Sequence, residues 1–210
     1  MKRRTFLVSA SATAVACALS SSALAQPTEQ ELLAPGALPD KTFGADDAPV
    51  TIIEYASLTC PHCRTFHLDV WPGLKEKYVD AGKVRFIMRE FPFDPRSTAG
   101  FMLARCAGDE KWYPTLDLLY RTQETWARGS DGSGAMKSVM GMTGMDEAAF
   151  EACLQNEELM QQVQAVAEVG RGFGVDSTPT FFINGKMYKG ALSVAQFSET
   201  IDPLLAASGQ

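Results

Sequence analysis

Two cysteines three positions apart, Cys60 and Cys63 in ASLTCPHCRTF, are the residues of this chain best equipped to do chemistry. Thiols at i and i+3 on one helical turn have Cα atoms about 5 to 6 Å apart, within the span of a disulfide, so such a pair can open and close with little backbone movement. Pro61 suits the first helical position, where a missing N–H costs nothing. Cys60 then falls at the N-cap, its sulfur standing where a Ser or Asp oxygen would accept backbone N–H bonds. A thiolate gains from those donors and from the positive end of the helix dipole, and a neutral thiol gains far less, so Cys60 is expected to ionise low. His62, in the same turn, adds a donor close to that sulfur, and a charge when protonated. Stabilising the thiolate favours the dithiol, and a pair that prefers to be a dithiol hands its disulfide to other molecules. The reading is an oxidising redox pair in which Cys63 is the resolving thiol.

Glu54 lies six residues before Cys60 in an otherwise apolar run. Buried beneath the pair, it would manage the proton of the resolving thiol, since burial raises a carboxyl pKa; on an exposed strand end it would do nothing. Other uses of the cysteines fit less well. A zinc site needs four ligands, typically as two close pairs, and there is no second C-x-x-C; His67, read as a solvated helix residue, is the only other histidine. No metal is therefore expected, and no cofactor. A structural staple closing so short a loop would gain little entropy. Met136, Met140, Met142 and Met145 raise the thought of soft copper ligands, but at such spacings methionines are more often core filler or adaptable apolar surface.

The elements that must position the pair follow from periodicity. Val50 to Ala56 is a short, β-branched, mostly apolar run, as in a strand covered on both faces. Phe66, Val70, Leu74 and Tyr78 recur every fourth position, predicting a helix from Pro61 to about Val79, kinked at Pro72. Residues 83–88 alternate like a second strand, completing a βαβ unit. From residue 96 the strand pattern stops, and helices are predicted over 96–107, 111–126, 134–143, 146–155 and 157–171. Thr180–Ile183 and Lys186–Lys189 flank Asn184-Gly185, a strong hairpin signal, and Ser193 opens a last helix. Residues 26–48, rich in Pro, Gly and charge, read as an arm or linker. The organisation expected is a signal peptide at 1–25, the arm, a first βαβ part at 49–95, an inserted all-helical domain at 96–173 and a closing ββα part at 174–210.

Lys2, Arg3 and Arg4 precede an apolar run too short and too rich in Ser and Ala to span a membrane, and Ala23-Leu24-Ala25 fits a cleavage site. This predicts export, by the general secretory route or, given Arg3-Arg4, the twin-arginine route. Without that segment the chain carries 16 Lys+Arg against 25 Asp+Glu, a net charge of −9 that disfavours nucleic acid as a partner. Four cysteines then remain for an oxidising compartment. Cys106 and Cys153 each sit on an apolar helix face, where a lone cysteine is a small buried hydrophobe; export and the even count favour a bridge between them, the pairing that leaves the C-x-x-C intact.

CPHC, the preceding VTIIEYASLT and the later Ser177-Thr178-Pro179-Thr180-Phe181-Phe182-Ile183-Asn184-Gly185 together resemble the DsbA family of thiol oxidases, over about residues 42–207. The resemblance implies a thioredoxin fold, an α/β architecture, with an inserted helical domain. It implies a cis Pro179 with Thr178 beside the active-site pair, where the Thr178 backbone would meet an extended substrate. Within the family the chain looks closest to the alphaproteobacterial branch, whose helical domain carries a second disulfide at positions matching Cys106 and Cys153. DsbA is itself a standing example of a low-pKa cysteine and a strong oxidant, so this expectation is not independent of the one drawn from the N-cap. The implied role is a periplasmic oxidase of unfolded or translocating cysteine-containing proteins, reoxidised by a DsbB-like, quinone-linked membrane partner. An arm of about 20 residues is too short for the dimerisation domain of isomerase relatives, which favours a monomer and simple oxidation. The rivals are a reductase or isomerase of the same fold and, from another class, a holdase or copper-binding module.

Overall fold

A computed structural model describes residues 26–209; the predicted signal peptide lies outside the described residues. Its centre is a five-stranded sheet in the order β1-β3-β2-β4-β5. β2 (Val50–Ala56) and β3 (Val84–Glu90) run parallel, and the hairpin of β4 (Thr180–Ile183) and β5 (Lys186–Lys189) adds antiparallel to β2. Parallel neighbours need a crossover, which the helical stretch 61–79 supplies.

The period-two alternation of the strands sorts their side chains onto two faces. Val50, Ile52, Ala56, Phe86, Met88, Phe181 and Ile183 join the larger core, with Phe66 and Leu74 of the crossover and Phe197 and Ile201 of the last helix. Ile53, Tyr55, Ile87 and Phe182 point the other way, onto Leu32, Ala167 and Val175. A strand buried on both faces reads as a continuous apolar run, and Glu54 interrupts that run on the face of the larger core.

The kink expected at Pro72 is broader than one residue. The crossover comprises α2 (Pro61–Thr65), a π segment over Phe66–Val70, α3 (Trp71–Leu74) and a second π segment over Lys75–Val79. Pro72 has no N–H to give the carbonyl four residues back, Leu68, so the turn ahead of it lacks a bond that would hold it to the α register.

The helical block contains α4 (Pro95–Cys106), α5 (Asp109–Arg121), α6 (Gln123–Arg128), α7 (Gly132–Met142), α8 (Glu147–Leu154) and α9 (Glu157–Gly172). The single helix expected over 111–126 is two, because Thr122 leaves helical geometry and its hydroxyl donates to the Leu118 carbonyl at 2.7 Å. α10 (Val194–Ala207) closes the chain behind a capping box of Ser193 and Gln196.

The arm is also more ordered than its composition suggests. It holds α1 (Glu29–Leu32), capped by Thr28 and Glu31, and β1 (Lys41–Phe43), an edge strand antiparallel to β3. Four and three residues are too few for a periodic signal, and β1 is specified by its pairing with β3.

Candidate active site

Cys60 is the N-cap of α2 and Pro61 its first residue, so the Cys60 sulfur stands just past the C-terminal end of β2, where the chain turns from strand to helix. Cys60 is partly exposed and Cys63, one turn deeper, is completely buried; the two are unbonded. Across from them the Thr178–Pro179 peptide is cis, and the Cys60 thiol donates to the Thr178 carbonyl at 3.2 Å. Residues 118 positions apart in sequence thus meet at one sulfur.

The two thiols are driven in opposite directions. Cys60 is lowered from the ordinary 9.0 to about 5: the Cys63 thiol donates to its sulfur, burial opposes the shift, and Thr178 and then the N–H groups of Cys63 and His62 reinforce it. The Thr178 hydroxyl is buried and has no hydrogen-bond partner among the described residues. Cys60 lacks the tight side-chain cap bond that a Ser or Asp would form, so the helix N–H groups rank behind the Cys63 thiol. The His62 side chain is exposed and makes no hydrogen bond to the sulfur; it is the backbone of His62 that contributes. Cys63 is pushed well above the ordinary thiol value, first by burial, then by its bond to Cys60 and the charges of Cys60 and Glu54. Only the Ser57 N–H, 3.5 Å from the Cys63 sulfur, acts the other way.

Glu54 is fully buried, and its partner is the residue placed in solvent by the sequence reading. His67 is not solvated: it is 2% exposed, with Nε2 at 2.9 and 3.2 Å from the two carboxylate oxygens of Glu54. The reason is geometric. His67 lies in the π segment, next to buried Phe66, and its ring stacks on Tyr120 of α5 with centroids 4.7 Å apart and planes 11° from parallel. A helix-period pattern written for 3.6 residues per turn places it on the outer face; the widened turn and the helical block cover it.

The turn before Cys60 is gripped by the helical block. Ser97 Oγ accepts from the Leu58 N–H at 3.0 Å, the Thr59 hydroxyl donates to Asp94, and Gln123 Nε2 donates to the carbonyls of Leu58 and Cys60 at 2.7 and 3.0 Å. Sequence reasoning missed Ser97, Asp94 and Gln123: Ser97 and Gln123 are lone polar residues in helices, and Asp94 is the N-cap of α4, whose reach to Thr59 shows only once the fold is known. Cys106 and Cys153 are bonded to one another, joining the end of α4 to α8. Of the four methionines, Met136 and Met140 are core and Met142 is exposed, so they do not converge on one site; Trp71, Trp112 and Trp126 are all buried.

Comparison with known proteins agrees with this architecture. Residues 37–203 match the family model described as Thioredoxin. The crystal structure of Wolbachia pipientis α-DsbA1 superposes with a TM-score of 0.75 at 32% identity, covering 86% of this chain and 97% of that one. Oxidised BdbD of Bacillus subtilis shares the fold, with a TM-score of 0.61 at 24% identity over 86% of this chain and 96% of its own. A Rickettsia conorii protein provisionally named a protein-disulfide oxidoreductase is 30% identical over 171 residues, which are 79% of this chain and 60% of that protein. The chain therefore spans about 60% of the length of that relative. With the matched family model, the likeness to α-DsbA1 over nearly all of its length, and a buried–exposed cysteine pair facing a cis proline, the chain belongs to the DsbA family of thioredoxin-fold proteins.

Proposed function

We propose that the protein is a thiol:disulfide oxidoreductase that donates a Cys60–Cys63 disulfide to cysteine-containing client proteins. The asymmetry of the pair carries this reading: Cys60 is reachable and held near pKa 5, while Cys63 is buried and held as a thiol. A client thiolate attacks Cys60 Sγ, the S–S bond to Cys63 breaks, and Cys63 leaves as a thiolate that takes up a proton. The client's second thiolate then attacks the client sulfur of the mixed disulfide. Cys60 departs as a low-pKa thiolate, a good leaving group. The client is oxidised by two electrons and the pair is left as a dithiol, to be reoxidised by an electron acceptor.

Glu54, buried on the Cys63 side of the sheet and paired with His67, is the acid–base group for the Cys63 proton in this scheme. Thr178 and cis-Pro179 form the wall against which an extended client chain lies. The basic and apolar residues of the first 25 positions support export, which makes the clients unfolded or translocating periplasmic proteins and the electron acceptor a DsbB-like membrane partner. The oxidase acts as a monomer.

Oxidative refolding of a reduced, two-cysteine substrate tests the reading. Cys60→Ala is expected to abolish turnover. Cys63→Ala, which has no disulfide of its own to give, is expected to turn over no client and instead, when its Cys60 thiolate attacks a client that already carries a disulfide, to release one client thiolate and trap a mixed disulfide that dithiothreitol dissolves. A reduction potential near that of thioredoxin, with insulin reduction but no oxidative refolding, would make the protein a reductase instead.

A further inference from the structure

The turn Ser57–Cys60 closes through one backbone bond, from the Cys60 N–H to the Ser57 carbonyl at 3.2 Å. Gln123 donates to the carbonyls of Leu58 and Cys60, and the latter also accepts the first helical bond of α2 from the Arg64 N–H at 3.1 Å. Gln123 is fully buried and opens α6, just past the break at Thr122. Two carbonyl acceptors at hydrogen-bond distance from one atom leave no choice of amide orientation: the atom is the nitrogen. A contact in the opposite sense lies next to it, Arg64 Nε of α2 donating to the Tyr120 carbonyl of α5 at 3.1 Å. The α5–α6 junction therefore grips the first turn of α2 from both sides.

We propose that Gln123 is a positioning residue for Cys60, through which the helical block sets the stability of the reacting thiolate. A carbonyl oxygen carries partial negative charge, and two of them flank the sulfur along the chain. With an N–H donated to each, they are turned away and partly neutralised, and the sulfur stays against Thr178 and the N–H groups of residues 62 and 63. Without those donors, the Leu58 carbonyl loses its buried partner and the Cys60 carbonyl keeps only the Arg64 N–H, so the turn is held by Ser97 and Asp94 on one side and is free to shift on the side of the sulfur. The inserted helices thereby belong to the redox centre as well as to the surface around it. This inference rests on Cys60 being the attacking sulfur.

The test compares the full chain with Gln123→Met, which keeps the volume and removes the donors, and Gln123→Leu, which removes them with a differently shaped apolar side chain. Titration of thiolate absorbance near 240 nm is expected to move the Cys60 pKa up by about one unit in Gln123→Met, the worth of one buried hydrogen bond. Equilibrium with glutathione should shift about tenfold towards the disulfide form, about 30 mV. Gln123→Leu should show the same upward shift. A residue that only held the fold together would lower the melting temperature of the oxidised and reduced forms alike and leave the titration where it was. An unchanged Cys60 titration in either folded variant overturns the proposal. A parent chain with no low-pKa thiol overturns instead the assignment of Cys60, and the two failures are distinguishable in one experiment.

Discussion

At the scale of single residues, the least anticipated contact is the one between Glu54 and His67. Both side chains are essentially inaccessible, and their 2.9 Å contact lies in an otherwise apolar core. Taking one partner away strands the other in low dielectric, whereas replacing both with apolar residues does not, because the cost of a buried pair is mostly desolvation. His67→Leu is thus expected to lower the stability of the dithiol form at pH 7 by about 3 kcal/mol or more, and Glu54→Leu on top of it to restore much of the loss. Urea unfolding of the four proteins in the double-mutant cycle measures this. Additive losses would mean that the two groups are not coupled. Glu54 could be singled out from the sequence because a charge broke an apolar strand. His67 could not, since its burial depends on a π turn and on Tyr120, 53 positions away.

At the scale of elements, the pieces with strong local patterns were legible and those defined by their neighbours were not. The β2–helix–β3 crossover, the Asn184-Gly185 hairpin and the capped last helix all stand where periodicity and turn chemistry put them. The edge strand β1 and the break between α5 and α6 were invisible, since three residues carry no period and Thr122 is an ordinary helix residue until its hydroxyl bonds back. The Cys106–Cys153 bond ties α4 to α8 across 47 positions, and α4 carries the Ser97 and Asp94 that hold the active-site turn. Closing a loop of that length stabilises by about 3 to 4 kcal/mol when the unfolded chain bears the restriction. Replacing both cysteines by Ala should cost about that much in urea unfolding, with the Cys60 titration shifted far less than by Gln123→Met. A loss below about 1 kcal/mol would show that packing of α4 against its neighbours already holds the block.

At the scale of the whole molecule, the proton and the electron pair are linked through folding. An unfolded chain has ordinary thiols, so any preference of the folded protein for the dithiol must appear as extra stability of the reduced form over the oxidised one. Cys60 is an acid whose folded pKa, about 5, lies below the ordinary 9.0. Its contribution is therefore fully present above about pH 9 and is lost as pH falls through about 5. Cys63, shifted upward, works against the reduced form only above the ordinary thiol value, where the unfolded chain ionises and the buried thiol does not. Between pH 5 and pH 9 the first effect acts alone. Titrating groups remote from the two sulfurs, including the acidic surface, are common to both redox forms and cancel in their difference. The difference in melting temperature, reduced minus oxidised, should accordingly rise steadily from pH 5 to pH 8.5 and shrink towards zero at pH 4, where the short disulfide loop contributes little of its own. Paired thermal scans across that range settle the matter: a difference that stays flat with pH would mean that the Cys60 thiolate gains nothing from the fold, and the molecule would have no thermodynamic reason to give its disulfide away.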